Sequence, residues 1–466
     1  MAATLILALV AAACTGGFSD DPVIQADPDR PGSLTPSPDT DGDGGGDTEA
    51  GGSDAGSPQP DDAPGTDDDP PDDSERIAVQ DTDGTLFTIR PDGGDLVVLA
   101  DDGRFHSQPV WSPDAGRLAW STFAPDSTTT TVASARFDGT AWAEVATPAG
   151  AFYLSWDPTS ARVATLSGGV AGVDVGVVDI SAGDGWRRID RGEPYWFVWG
   201  PDGEELLVHA DGLRLDRVDL DGTTVIVESA PAPFLTPAWT FEARSLIYPT
   251  TIDGAATLVT SGTEGEGALP LFTYDGLLRF AVSPAINRMA VLTAEVPEPD
   301  DGIVTASAPL PAQIDPDNLP HLEVDTFALL ATFGSDPTVL SEEDVVAFWW
   351  SPGGEALGWL EPAADGEPGQ LQWWFLNTDG FVPGPVFTPS TVWARDYLPF
   401  FDQYGRSHSL WSPDGTAVTY AGTSPDGRSG VWVHEVALGA EPRFLADGVV
   451  SVWSPAPAGS GASSPL

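Results

Sequence analysis

The sequence predicts an all-β ring of four-stranded blades, a β-propeller. Three observations carry this: a Trp-Ser-Pro repeat, its period, and strand-like pieces at the two ends that complete one another. The repeat is clearest in Val110-Trp111-Ser112-Pro113-Asp114, and it returns at Trp156-Asp157-Pro158 and Trp199-Gly200-Pro201-Asp202-Gly203. Further clear copies stand at Trp350-Ser351-Pro352, Trp411-Ser412-Pro413-Asp414-Gly415 and Trp453-Ser454-Pro455, with worn ones at Trp239-Thr240-Phe241 and Val282-Ser283-Pro284. The anchors Trp111, Trp156, Trp199, Trp239, Val282, Trp350, Trp411 and Trp453 are spaced by 45, 43, 40, 43, 68, 61 and 42 residues. Four short strands with their turns need about 40 to 45 residues per blade.

Within each repeat, a first strand ends in a bulky anchor that fills the wedge between neighbouring radial sheets. Ser-Pro-Asp-Gly then turns the chain, Pro presetting φ and Gly accepting a positive one. Second strands follow, as at 117–122 and 205–209, and two outer strands are joined by Asp138-Gly139, Asp221-Gly222 or Asp379-Gly380 turns. Before the first anchor lie three strand-like pieces, 77–80, 86–90 and 96–100, and the last anchor closes a single one, 449–453. A C-terminal inner strand paired with three N-terminal strands closes the ring and removes its exposed edges. Counted so, residues 76–456 make eight blades, or seven if a worn copy is not one.

The stretch 86–120, LFTIRPDGGDLVVLADDGRFHSQPVWSPDAGRLAW, resembles the repeats of TolB-type propellers, which share a Trp-Ser-Pro-Asp-Gly turn. The resemblance covers residues 77–456. It implies the propeller fold and two kinds of work: binding protein partners in the periplasm, or gating a separate hydrolase domain as in prolyl-oligopeptidase-like enzymes. No hydrolase domain is expected beside this propeller.

The 466 residues carry 71 Asp and Glu against 19 basic residues, all of them Arg, for a net charge of −52. Such a surface repels phosphate backbones and anionic lipid heads, which argues against nucleic-acid binding and polybasic membrane docking. With 41% apolar residues and 17 Trp, the chain has ample surface for a core. Its single Cys excludes an intrachain disulfide framework and any multi-cysteine metal site.

Residues 1–13 form an apolar run too short to span a bilayer and read as a signal segment. Ala-Ala-Ala directly before Cys14 resembles a bacterial lipoprotein signal, which implies a lipid on Cys14 and export to the outer face of a membrane, in the cell envelope or periplasm. Membrane contact is then through the lipid alone, and a monomer is expected. Residues 14–75 are an acidic Asp/Gly/Pro/Ser tether that cannot bury enough surface to order itself. In it, Asp39, Asp41 and Asp43 copy half of a calcium loop, but Ala50 stands where the bidentate Glu belongs, so plain linker is the reading and no cofactor is expected. Residues 457–466 read as a frayed tail.

The two long gaps hold insertions at 295–321 and 389–408. Propeller strand order puts second-to-third loops and blade-to-blade connections on one face, so both rise from that face, where long loops on a rigid scaffold carry function. The second insertion gathers Trp393, Arg395, Asp396, Tyr397, Phe400, Phe401, Asp402, Tyr404, Arg406 and His408. Trp, Tyr and Arg bring area and directed hydrogen bonds to recognition surfaces. The competing expectation is that the aromatics fold down as a plug over the channel mouth, with Asp402 and Arg406 paired to hold the loop. His106 and His408 share that face and, with Asp396 or Asp402, suggest a metal site; hydrogen-bonded histidines are the simpler expectation.

Catalytic signatures are missing: no Gly-x-Ser-x-Gly elbow, no His-Glu-x-x-His, no phosphate loop and, without Lys, no Schiff-base nucleophile. The sequence therefore predicts a lipid-tethered module that binds an extracytoplasmic protein or envelope polymer through the insertion face. The alternative is a glycan-active hydrolase or lyase using two carboxylates at the channel mouth beside Trp393 or Tyr397.

Overall fold

The computed structural model describes residues 75–456 except 125–129, 170–171, 181–184, 213, 229–235, 241–243, 295–319, 332–336, 342 and 365. The signal segment, Cys14, the tether through residue 74 with Asp39, Asp41 and Asp43, most of the 295–321 insertion and the 457–466 tail lie outside the described residues.

The chain is an all-β propeller. Its described strands form seven sheets, five of them four-stranded, one five-stranded and one seven-stranded. The Trp111 sheet runs Phe105–Trp111, Arg117–Phe123, Thr130–Arg136 and Ala143–Thr147 in sequence order. The Trp156 and Trp199 sheets repeat that order over 151–192 and 195–228. On the Trp239 sheet, His321–Leu322 adds a fifth, parallel strand through Thr273↔His321, so the end of the 295–321 insertion clips onto the neighbouring unit.

The seven-stranded sheet joins two units. Its strand Gly380–Pro389 is long enough to finish the Trp350 unit and pair onward through Thr388↔Thr423 and Pro389↔Gly422. In the following unit, the inner strand expected before Trp411 shrinks to a single bridge, Trp411↔Val418. Leu410 O still accepts from Thr419 N at 2.8 Å, but Ser409 O accepts from Trp453 N of the closing strand, also at 2.8 Å.

The ends close as the sequence requires. Val450–Trp453 pairs with Ile77–Gln80 through Ile77↔Trp453 to Gln80↔Val450. Ser454 N donates to Arg76 O at 2.8 Å, and Arg76 N donates to Ser454 Oγ at 3.0 Å. Arg76 is buried, pairs with Asp95 and lies 4.8 Å over the Phe137 ring.

The anchors do more than fill wedges. The Trp111 indole N–H donates to Val452 O at 3.1 Å, Trp156 to Val110 O at 3.1 Å and Trp199 to Ser155 O at 3.0 Å. Trp350 donates to Ala281 O at 3.0 Å and Trp411 to Trp349 O at 3.3 Å. In every case the acceptor immediately precedes the anchor of the preceding unit, so one sequence spacing generates one repeated staple between sheets. Trp156→Phe keeps the aromatic wedge but loses the donor, and is expected to cost about 1–2 kcal/mol, read as a lower urea midpoint at unchanged m-value.

The turns explain the rest of the motif. Ser112 Oγ donates to Asp114 Oδ1 at 2.6 Å and accepts from Arg117 N at 2.9 Å; Ser412 repeats both roles with Asp414 and Ala417 N. Gly203, Gly354 and Gly415 take φ of 72°, 67° and 70°, which a side chain would strain.

Candidate functional site

Where Pro389 ends its strand, Ser390 caps a helix, α1 (Thr391–Asp396), accepting from Trp393 N at 3.1 Å and donating to Val449 O at 2.5 Å. Pro399 opens a 3-10 turn, Leu398–Phe400, and α2 (Phe401–Tyr404) follows, capped at Gly405. A Cβ at Gly405 would meet Phe401 O and the Trp349 ring at 2.9 Å, so only glycine lets the chain pass this close.

These short helices turn inward. Trp393, 3% exposed, stacks on Trp349 with ring centroids 6.1 Å apart at 22°. Phe401 packs edge-on against Phe348 at 4.9 Å, and half-buried Phe400 meets Trp196 at 5.9 Å. Tyr404 meets Tyr397 at 4.6 Å and Tyr153 at 5.1 Å, and its hydroxyl donates to Phe152 O at 2.9 Å. His408 is buried against Tyr404 and Tyr397, its Nδ1 2.8 Å from Ser407 Oγ, and the Tyr153 hydroxyl lies 3.1 Å from that same oxygen. The insertion thus reaches the inner strands of the Trp156, Trp199, Val282 and Trp350 units and closes one end of the channel.

Of the predicted site residues, Trp393, Tyr397, Phe401, Asp402, Tyr404 and His408 are buried in this plug. Arg395 remains outside, 62% exposed and paired with Asp396 at 2.6 Å. The expected Asp402–Arg406 ion pair is corrected by the structure. The Asp402 carboxylate is held by Arg279 Nη1 at 3.4 Å and Thr236 Oγ1 at 3.1 Å, while Arg406 Nε donates to the Asp402 backbone carbonyl at 3.2 Å. Arg279 was legible as the one charged residue in the inner strand Leu277–Val282. Nothing in the sequence singles out Tyr153, Trp196 or Thr236 as floor for a loop some 160 to 250 residues away.

His106 lies in a separate buried network: its Nε2 is 3.0 Å from Asp102 Oδ1, its Nδ1 is 3.0 Å from Thr122 Oγ1, and the Trp120 indole N–H donates to Nδ1 at 3.2 Å. The structure therefore does not bring His106 and His408 together, and no group of three or more His, Cys, Asp or Glu among the described residues is placed to hold a metal.

Burial pushes the His408 pKa down to about 3. In the unfolded chain an imidazole titrates near 6.5, so between pH 6.5 and 3 the unfolded state binds a proton that the folded state refuses. Stability is full above pH 6.5 and falls as pH drops through that window, by about 1.4 kcal/mol per pH unit from this group. His408→Phe is expected to remove this group's share of the loss between pH 6.5 and 5.5, measured by urea unfolding, leaving the share of His434, whose pKa burial lowers to about 4.

Beneath the plug lies a channel cavity of about 260 Å³. Phe401, Asp402, Gly405, Arg406 and Ser407 form its closed end, and half-exposed Pro113, Pro158, Pro201, Pro284, Pro352 and Pro455 ring the opposite, open mouth. Among the described residues, Asp402 is the only acid in the lining. On the plugged face, Phe105 and Phe152 open their inner strands at 41% and 46% exposure.

No protein-family model matches the chain, and no curated protein matches it. Solved structures share the fold. TolB from Acinetobacter baumannii is 13% identical over 67% of this chain, with a TM-score of 0.34, and the match spans 65% of the TolB chain. A eukaryotic initiation factor is 11% identical over 82% of this chain and 99% of its own, with a TM-score of 0.49. The β-propeller domain of the Trilobed protease from Pyrococcus furiosus is 10% identical over 74% of this chain and 98% of its own, with a TM-score of 0.43. At these identities and scores the matches carry no argument about activity or partners. Fold and site define the chain's class, a β-propeller with one channel mouth stopped by a helical insertion.

Proposed function

We propose that the chain is an exported recognition module, tethered by a lipid on Cys14 to the outer face of a bacterial membrane, which binds an extracytoplasmic protein or envelope polymer through its insertion face. The observation that carries this is the pair of exposed aromatics, Phe105 and Phe152, near the start of inner strands on the face that carries the insertion, whose Arg395 is exposed and paired with Asp396. Exposed aromatic side chains on a β scaffold, on the same face as a surface Arg–Asp pair, have the composition of a recognition patch. The acidic segment 14–75 gives the propeller reach from the membrane. The TolB-like fold is compatible with this work, as it is with others. Among the described residues no helix is long and apolar enough to cross a membrane.

No observation favours the hydrolase or lyase reading. It needs two carboxyl groups facing across the channel mouth, whereas among the described residues the lining offers Asp402 alone, already engaged by Arg279 and Thr236. On this reading the ring has eight blades, the seven-stranded sheet counting as two.

The test is capture from envelope extract by the full chain and by a Phe105→Ser/Phe152→Ser variant of unchanged melting temperature. A partner held by the first and lost by the second supports the proposal; equal capture by both refutes the assigned face. Cys14→Ser is expected to move the protein from the membrane fraction to the soluble one.

A further inference from the structure

At the closed end of the channel stands a cation that no carboxylate contacts directly among the described residues. The Arg406 side chain is exposed and lines the cavity, and among the described residues its one hydrogen bond is from Nε to the Asp402 carbonyl oxygen at 3.2 Å. No carboxylate among the described residues lies within 4.0 Å of its guanidinium, because the nearby Asp402 carboxylate is taken by Arg279. Several outer arginines also lack a carboxylate partner, but Arg406 is the arginine that lines the channel cavity among the described residues, whereas Arg214 is held by Asp190, Asp211 and Asp216 together. Desolvation by the surrounding protein pushes the Arg406 pKa down, against the opposing attraction of the Asp402 and Tyr153 side chains.

Among the described residues neither Nη group of Arg406 has a hydrogen-bond acceptor. A guanidinium presents parallel N–H bonds that match a carboxylate two to two. Around it the walls are apolar and aromatic, including Tyr153, Phe197, Phe348 and Trp349, and access is from the proline-ringed mouth. The negative field of the molecule opposes anion entry, but at physiological ionic strength it is screened beyond about 8 Å, and among the described residues the lining adds one carboxylate, paired with Arg279.

We propose that this channel is a binding site for a small carboxylate with an apolar body, the carboxylate held bidentately by Arg406 and the body seated between the aromatic walls. The volume of about 260 Å³ suits a ligand of one or two aromatic rings, or the last residues of a peptide C-terminus, which share the carboxylate. The site opens opposite the plugged face, so it stands or falls separately from the recognition reading and is reached by different variants.

The experiment is a titration of the full chain at physiological salt, followed by intrinsic fluorescence, since Trp111, Trp156, Trp199, Trp349 and Trp350 line the cavity. The probes are phenylacetate, phenylacetamide, inorganic phosphate and a dipeptide with a free C-terminal carboxylate beside its C-terminal amide. Phenylacetate or the free dipeptide should bind at least about tenfold more tightly than its amide, as a charge-assisted pair requires. Arg406→Gln should lower the acid to the affinity of the amide, Arg406→Lys should restore part of it, and Arg188→Gln, exposed on an outer strand and paired with Asp174, should change nothing. Whichever acid wins identifies the source of the carboxylate. Equal binding of acid and amide by the wild-type chain overturns the proposal without relying on any variant. So does acid binding that survives Arg406→Gln, and so does phosphate binding as tight as phenylacetate.

Discussion

A chain ending at Gly448 is expected to lose its cooperative unfolding transition altogether. The missing strand Val450–Trp453 is buried along its whole length, pairs residue for residue with Ile77–Gln80 and accepts the Trp111 indole at Val452 O. Removing it exposes the inner edges of two units at once and strips Arg76 of its two backbone bonds to Ser454. Three large apolar side chains at about 1.5–3 kcal/mol each amount to much of a domain's net stability. Circular dichroism against urea checks this: the truncated chain should show a broad, low-midpoint decay, and the full chain a single sigmoid. Adding the 449–456 peptide in trans should partly restore the transition, because the closure is non-covalent.

Asp402→Ala is expected to destabilise the fold by about 3–5 kcal/mol, far more than a loop substitution should. The carboxylate is 2% exposed and its partner Arg279 is 19% exposed, so the variant leaves a largely buried guanidinium without a counter-charge and Thr236 Oγ1 without its acceptor. The double variant Arg279→Met/Asp402→Leu should recover most of the loss, since exchanging both members of a buried pair for apolar side chains removes the desolvation cost along with the attraction. Urea midpoints of the single and double variants decide the matter; additive losses would mean that the two groups do not act as a pair.

The propeller was legible because its signal is local and repeated. A Trp-Ser-Pro-Asp-Gly turn needs only its own residues to fold, as the Ser112–Asp114 and Ser412–Asp414 bonds show, and its recurrence counts the units. The closing strand was legible too, because 449–453 and 77–100 were each incomplete alone. The plug was readable only as an alternative. Its Ser390 cap is a local signal, but whether Trp393 and Phe401 face out or in depends on Trp349 and Phe348, and on the bonds that Arg279 and Thr236 make to Asp402, all far away in sequence. The Asp402–Arg406 expectation failed for the same reason: sequence nearness ranked Arg406 first, while the fold delivered Arg279 from another sheet. The loss of a full strand before Trp411 follows from the insertion, which leaves Ser409 bonded to the closing strand.

Native-state hydrogen exchange at the amides of Tyr397, Gly405 and His408 tests the plug most directly. These donate to Trp393 O, Phe401 O and Tyr404 O at 3.1, 2.7 and 2.8 Å within the insertion. If the helices are part of the ring's core, these amides exchange only through global unfolding, with the same free energy as those of the inner strand Phe105–Trp111. Exchange through a local opening several kcal/mol easier than global unfolding would contradict the account, since the insertion would then be a mobile loop and its aromatics available to a partner.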